Sequence, residues 1–225
     1  MRIRLDHVTH AYAGSDEAAA VQVLDDVSLD IASGDFAVLR GASGSGKSTI
    51  LNLIGAVDRP TSGRVFLGDV ETSALDESRL TLLRRSSIGF VFQQFNLIPT
   101  LTVFENVAFP LSLAKVPFKK QVEAMLERIG LAHRAKHYPS ELSGGEMQRV
   151  AIGRAVIHRP PLIIADEPTG NLDSKSGANV LGLIRTIHDA ERPTVVMATH
   201  SDAAAAFGDY TISVADGKAW RNGLS

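Results

Sequence analysis

The run Gly41-Ala42-Ser43-Gly44-Ser45-Gly46-Lys47-Ser48-Thr49 has the glycine, lysine and hydroxyl spacing of a phosphate-cradling P-loop, G-x-x-x-x-G-K-[S/T]. Glycines let successive backbone N–H groups turn inward around a triphosphate, and a helix starting at the end of the loop adds its positive dipole. On this spacing Lys47 reaches the β- and γ-phosphates and the Ser48 hydroxyl ligates Mg2+. The bland alternative is a glycine- and serine-rich turn without chemistry. The flanks oppose it: Phe36-Ala37-Val38-Leu39 suits a buried strand, and Ile50, Leu51, Leu53 and Ile54 recur at helical spacing. A bound nucleoside triphosphate is therefore expected.

Three further groups could act on it. Asp166 and Glu167 follow the apolar run Leu162-Ile163-Ile164-Ala165, so Asp166 is placed to hold Mg2+ and Glu167 to orient or deprotonate the attacking water. Alone, the pair reads equally well as a strand ending in a solvated acidic turn; the upstream P-loop favours chemistry. His200 follows Thr194–Thr199 and could donate a ring N–H to developing phosphate charge, although a lone histidine is more often structural. Leu142-Ser143-Gly144-Gly145-Glu146 has capping-box spacing between Ser143 and Glu146, ahead of a helical run from Met147 through Ile157. Spacing alone makes this an ordinary capped helix; its two glycines also make a second anion site feasible.

The elements that must position these groups alternate in type. Residues 2–9 read as a half-buried strand with Ile3, Leu5 and Val8 apolar, and Tyr12 follows in a loop with Gly14, Ser15 and Asp16. Val21, Val23, Val27, Leu29 and Ile31 continue the alternation. A turn at Pro60-Thr61-Ser62-Gly63, a strand at Arg64–Leu67, a helix over Asp76–Arg85 and a buried strand at Ile88–Phe92 come next. From Asn96 to about Ile129 the chain reads as helices and loops broken by Pro99, Pro110 and Pro117. In that stretch Val122, Met125, Leu126 and Ile129 form a stripe ended by Gly130. Val180, Leu183, Ile184 and Ile187 predict a helix before a second central strand at Thr194–Ala198. Such alternation predicts a doubly wound parallel sheet with ligands at the carboxyl ends of its strands.

Composition sets the outer limits. Of 225 residues, 44% are apolar and 21% charged, which is enough for one substantial core. A net charge of −2 gives no electrostatic reason to expect nucleic acid. The absence of cysteine excludes disulfides and thiol chemistry and fits a reducing compartment. Met1–Asp6 lacks the apolar stretch of a leader, and no run of apolar residues is long enough to span a bilayer, so a soluble, cytoplasmic chain is expected.

In order and separation, the P-loop, Leu142–Glu146, Leu162–Glu167 and His200 resemble the nucleotide-binding subunit of an ABC transporter across nearly the whole chain. The resemblance implies an α/β fold: a P-loop NTPase (RecA-like) parallel-sheet core, an N-terminal antiparallel β subdomain and an inserted α-helical subdomain. It implies one domain, with the core in 1–92 and 159–225 and the helical, signature-bearing part in 93–158. It further implies an ATPase in which two copies sandwich two ATPs, Ser143, Gly144, Gly145 and Glu146 of one copy facing the γ-phosphate of the other. Tyr12 matches the aromatic that stacks on adenine. Gln93, rather than Gln94, matches the glutamine that contacts Mg2+ and the attacking water. Asp173, in Asn171-Leu172-Asp173, matches the acid of the loop between the two copies and is equally a helix N-cap. The Mg2+ ligands implied are Ser48, Gln93 and Asp166.

Ile88–Leu97 and Asp166–Asp173 are similar to the lipoprotein-release and macrolide-export branch, which includes the cell-division ATPase of the FtsE type. Ala42 stands where many relatives have Pro, and Ser201 where an acid is usual, with Asp202 one place later. The resemblance implies a partner permease in the membrane, docked around Phe95–Leu101, and a location at the inner face of the cell membrane. Two other classes compete: a non-transporting ATPase that signals through a membrane partner, and a DNA-maintenance ATPase. The latter needs a long coiled coil between Lys47 and Ser143, and the weak basic character also opposes it. A small-molecule kinase would leave Leu142–Glu146 without a use.

Overall fold

The computed structural model describes residues 1–13, 20–113 and 117–221. Six strands form one sheet in the order β10 (Lys218–Arg221), β9 (Tyr210–Ala215), β3 (Phe36–Arg40), β8 (Thr194–Thr199), β7 (Leu162–Asp166) and β6 (Ile88–Phe92). All neighbours run parallel except the β9–β10 pair. A second, antiparallel sheet has the order β2 (Val21–Ile31), β1 (Ile3–Tyr12), β4 (Ser62–Leu67) and β5 (Val70–Glu71). The helices are α1 (Lys47–Ile54), α2 (Glu77–Ser87), α3 (Val103–Ser112), α4 (Lys119–Arg128), α5 (Gly144–Val156), α6 (Ser174–Glu191) and α7 (Asp202–Ala205). Helices α3, α4 and α5 all lie between β6 and β7 in the chain.

The unbroken apolar runs of the parallel strands follow from burial on both faces. Phe36 and Val38 of β3, Ile163 and Ala165 of β7, and Val195 and Met197 of β8 pack with α3–α6. The intervening residues Ala37, Leu39, Leu162, Ile164, Val196 and Ala198 pack instead with α1 and the antiparallel sheet. Two hydrophobic cores thus share one sheet, and period-2 alternation sorts each side chain into one of them.

Local chemistry sets the helix ends. Asp76 accepts from the Arg79 N–H to start α2, and Thr102 and Glu105 form a reciprocal capping box at α3. The α4 stripe is buried as its spacing predicts, and Gly130 follows at φ 70°.

The structure departs from the sequence expectations at four places. In β2 it is Leu24, not Val23, that is fully buried, and Val21 is exposed. Register shifts against β1, with Asp26 at φ 54°, reverse the alternation there. In α6, Val180, Ile184 and Ile187 are buried as predicted, but Leu181 joins them and Leu183 is only half-buried. Pro110 does not break a helix: it lies inside α3, two residues from its end, where the missing N–H costs one bond to the Asn106 carbonyl. Tyr12 is the last residue of β1 rather than part of a loop, and Gly14, Ser15 and Asp16 lie outside the described residues.

Candidate nucleotide-binding site

Strand β3 delivers the glycine-rich loop to the carboxyl edge of the parallel sheet, and α1 leaves it. Gly46 is the N-cap of α1 at φ 105°, where a side chain would be strained and its Cβ would lie 2.9 Å from Leu24. At Gly41 a Cβ would lie 2.1 Å from the Val214 carbonyl, so the loop must pass β9 bare. Lys47 is 7% exposed. Its Nζ donates to the Gly41 carbonyl at 2.9 Å and the Ala42 carbonyl at 2.8 Å, lying across the loop that it closes. An ammonium has three donors, so one remains beyond these two bonds.

A cleft of about 730 Å3 opens over this loop, and Ser43, Gly44, Gly46, Lys47, Ser48, Thr49, Gln93, Asp166, Glu167 and His200 line it with Val23. Parallel registration explains the convergence. Phe92 pairs with Asp166, and Asp166 with Ala198, so β6, β7 and β8 end side by side and deliver Gln93, the acidic pair and His200 to one edge. Gly41 and Ser45 lie behind the lining.

The Asp166 carboxylate bonds the Ser48 hydroxyl. Burial pushes this carboxyl above its usual range; the Ser48 bond and the Lys47 charge oppose that, and the Glu167 charge adds to it. A hydroxyl and a carboxylate oxygen side by side are hard donors suited to Mg2+, which completes its shell with substrate phosphates and water. Glu167 sits at φ 44°, a left-handed conformation that costs free energy in a non-glycine residue. It is pinned there by its N–H to the Ala198 carbonyl at 3.0 Å and by the Gly170 N–H on its own carbonyl at 3.0 Å. Its Oε1 meets His200 Nδ1 at 2.9 Å. A carboxylate only accepts, so Nδ1 carries the proton of this bond. The glutamate side chain is largely buried and the histidine is open to the cleft mouth.

Other predicted residues are placed less simply. The Gln93 amide is turned towards Asn171: Nε2 donates to Asn171 Oδ1 at 3.3 Å, and Asn171 Nδ2 donates to the Gln93 carbonyl at 3.1 Å. Tyr12 does not line the cleft; it borders it, with its hydroxyl 3.4 Å from Thr49 Oγ1 and its ring edge-on to His10. Asp173 caps α6, accepting from Lys175 and Ser176 N–H at 3.0 Å each; the Ser176 hydroxyl first, then these backbone bonds, hold its carboxyl below the usual range. It lines a smaller cleft on the far side of Glu167 and His200. Asp202 lies in α7 and ion-pairs with Arg40 at the end of β3, while Ser201 caps α7. The acid after His200 is thus a brace for the neighbouring strand.

Ser143, Gly144, Gly145 and Glu146 form the tip of α5, and none of them lines the cleft that holds Lys47. The Glu146 carboxylate accepts from the Ser143 N–H at 2.8 Å and hydroxyl at 2.7 Å, which lowers its pKa, the backbone bond contributing most. Glu146 therefore shapes the tip. Helical geometry leaves the N–H groups of Gly144 and Gly145 without acceptors of their own.

Sequence reasoning missed Asn171 and Gln148. Gln148 shares a helical face with Ala151, Ile152 and Ala155, and a polar residue on that buried stripe was the available signal.

Comparison with known proteins agrees with this geometry. A family profile described as ABC transporter matches residues 24–170. An uncharacterized ABC transporter ATP-binding protein of Methanocaldococcus jannaschii, MJ0796, is 44% identical, covering 97% of this chain and 95% of its own length. The macrolide export ATP-binding/permease protein MacB of Brucella melitensis is also 44% identical over 96% of this chain, which spans 33% of that longer protein. A dimeric structure of the MJ0796 cassette in a post-hydrolysis state, bound to ADP and Pi, superposes with a TM-score of 0.90 at 41% identity, covering 99% of both chains. A loop that cradles phosphate, an acidic strand end beside it and likeness in sequence and shape to a cassette caught after hydrolysis lead to one assignment: this chain is an ATP-binding, ATP-hydrolysing subunit of the ABC transporter family, in the branch that contains the macrolide exporters.

Proposed function

We propose that two copies of this chain close head to tail around two ATP molecules, each bound with Mg2+, and that this closure drives an integral-membrane permease at the inner face of the cell membrane. The observation that carries the reading is the tip of α5. It is capped through Ser143 and Glu146, the N–H groups of Gly144 and Gly145 have no acceptor within the helix, and it lies outside its own cleft, so an anion it binds must come from elsewhere. The dimeric structure of the similar MJ0796 cassette supports an assembly of two copies.

Within one site, Lys47 and the start of α1 neutralise phosphate charge, with Gly41 and Ser43–Thr49 forming the cradle. Ser48 and Asp166 hold Mg2+, and Gln93 joins them once its amide leaves Asn171. When bound, Mg2+ supplies positive charge against the phosphate oxygens. Tyr12 flanks the adenine. Glu167 takes a proton from the attacking water, and His200, held through Nδ1 by Glu167, donates Nε2–H to the γ-phosphate in its imidazolium form, in which both ring nitrogens are donors. Ser143, Gly144 and Gly145 of the second copy cover that phosphate, with Glu146 holding their shape and Asp173 beside the shared boundary.

A complementation experiment tests the shared site. Lys47→Met disables the cradle and Ser143→Arg blocks the tip, so each variant alone should be nearly inactive. Mixed, they can form one intact site from the Ser143→Arg cradle and the Lys47→Met tip, and phosphate release should return. A mixture as inactive as its parts would defeat the two-copy reading.

The permease belongs in this proposal for two reasons. Among the described residues no helix is long and apolar enough to cross a membrane, and the chain matches one third of a relative named as both ATP-binding protein and permease. An apolar groove of about 440 Å3 between α2, β6 and α3 has Phe90, Phe92, Ile98, Phe109 and Leu113 on its walls and Arg84, Arg85 and Arg154 at its rim. It suits a short helix from an exporter of the macrolide or lipoprotein-release type. Leu97 packs against the core, whereas Ile98 lines the groove and is fixed locally through its backbone bonds to Asn106. Ile98→Asp should therefore weaken permease co-purification by about tenfold or more, since burying an unpaired carboxylate is costly, while basal ATPase activity stays within about twofold.

A further inference from the structure

Gln148 lies wholly buried on α5, one turn beyond the tip formed by Ser143–Glu146. Its Nε2 donates to the Pro168 carbonyl at 2.7 Å and to the Phe92 carbonyl at 3.2 Å. Phe92 immediately precedes Gln93, and Pro168 immediately follows Glu167. One amide therefore joins the two strand exits that present these side chains, and it does so from the helix whose tip faces outward. The acceptors fix the orientation: turned over, the amide would place its oxygen against two carbonyls. In this orientation Oε1 is buried with no partner among the described residues, a cost that persists only where the donor side is needed.

We propose that Gln148 is a positioning residue for ATP hydrolysis: its amide fixes the spacing of Gln93 and Glu167 and ties that spacing to the position of the α5 tip. The tie to the tip rests on the two-copy reading; the spacing of the exits does not. Gln148 is not among the residues that line the cleft, so its loss should change turnover rather than ATP affinity. Misplacement of reacting groups by about 1 Å costs on the order of 10²-fold.

Gln148→Met keeps volume and removes both donors; Gln148→Asn keeps the amide and withdraws it from both carbonyls. In steady-state phosphate release, each should lower kcat by roughly 10- to 100-fold, with KM for ATP within about threefold of the parent. In a Glu167→Gln background both should still form the ATP-dependent dimer on gel filtration. Wild-type kcat in both variants overturns the proposal. A raised KM at constant kcat overturns it as well, since that places Gln148 in binding. If neither variant folds, Gln148 is a structural staple only, and the positioning role is lost. Failure of the Glu167→Gln parent itself to dimerise would instead count against the two-copy reading and leave the kcat comparison for Gln148 intact.

Discussion

Glu167→Gln should cut ATP turnover by about 10²–10³-fold, or about 2.7–4 kcal/mol of barrier, while leaving ATP bound. The amide keeps the length of the side chain, and its oxygen still accepts from His200 Nδ1, now 2.9 Å away. The backbone bonds that hold residue 167 at φ 44° are unchanged, because they involve only main-chain atoms. What disappears is the negative oxygen that can take a proton from water. Lys47, Ser48 and Asp166 remain, so affinity should change little. With closure intact and opening dependent on hydrolysis, the protein with ATP should elute at twice its nucleotide-free mass. Phosphate release at the parental rate would remove Glu167 from the proposed mechanism.

Lys47→Met has the second large effect. The apolar stem of Lys47 is buried and methionine fills most of its space, but the variant loses the ammonium that now bonds the Gly41 and Ala42 carbonyls. In the proposed complex the same ammonium meets the β- and γ-phosphates. Charge-assisted bonds of this kind contribute about 1.5–3 kcal/mol, which converts to a Kd for ATP weaker by about 10- to 100-fold in calorimetric titration. Arginine should not rescue it, since a planar fork cannot reproduce a compact charge inside a closed loop. An unchanged Kd would show that the backbone cradle alone carries binding.

The parts of the site legible in the sequence are those encoded locally. Gly41–Thr49 specifies its own loop, Ser143 and Glu146 specify their own cap, and Asp173 specifies the start of α6, each through contacts a few residues apart. The apolar runs at Leu162–Ala165 and Val195–Ala198 announce strands buried on both faces, and the two cores that share the sheet explain why no polar residue interrupts them. What could not be read depends on distant partners. Val23 and Leu24 are equally apolar, and only the register against β1 decides which turns inward. The pairing of Gln93 with Asn171 spans 78 residues and that of Gln148 with Phe92 spans 56. The Arg40–Asp202 brace joins strand ends that only the folded sheet makes neighbours.

The single sheet shared by two cores has an evolutionary consequence. In Leu162–Ala165 each residue belongs to one core or the other by parity, and the same parity aims the carboxylate of Asp166, next in the strand, at the Ser48 hydroxyl. Deleting or inserting one residue there would exchange the occupants of both cores and turn the carboxylate away in a single step. Descendants of this chain can therefore drift in that strand by substitution alone, and changes of length must accumulate in the connections outside the sheet.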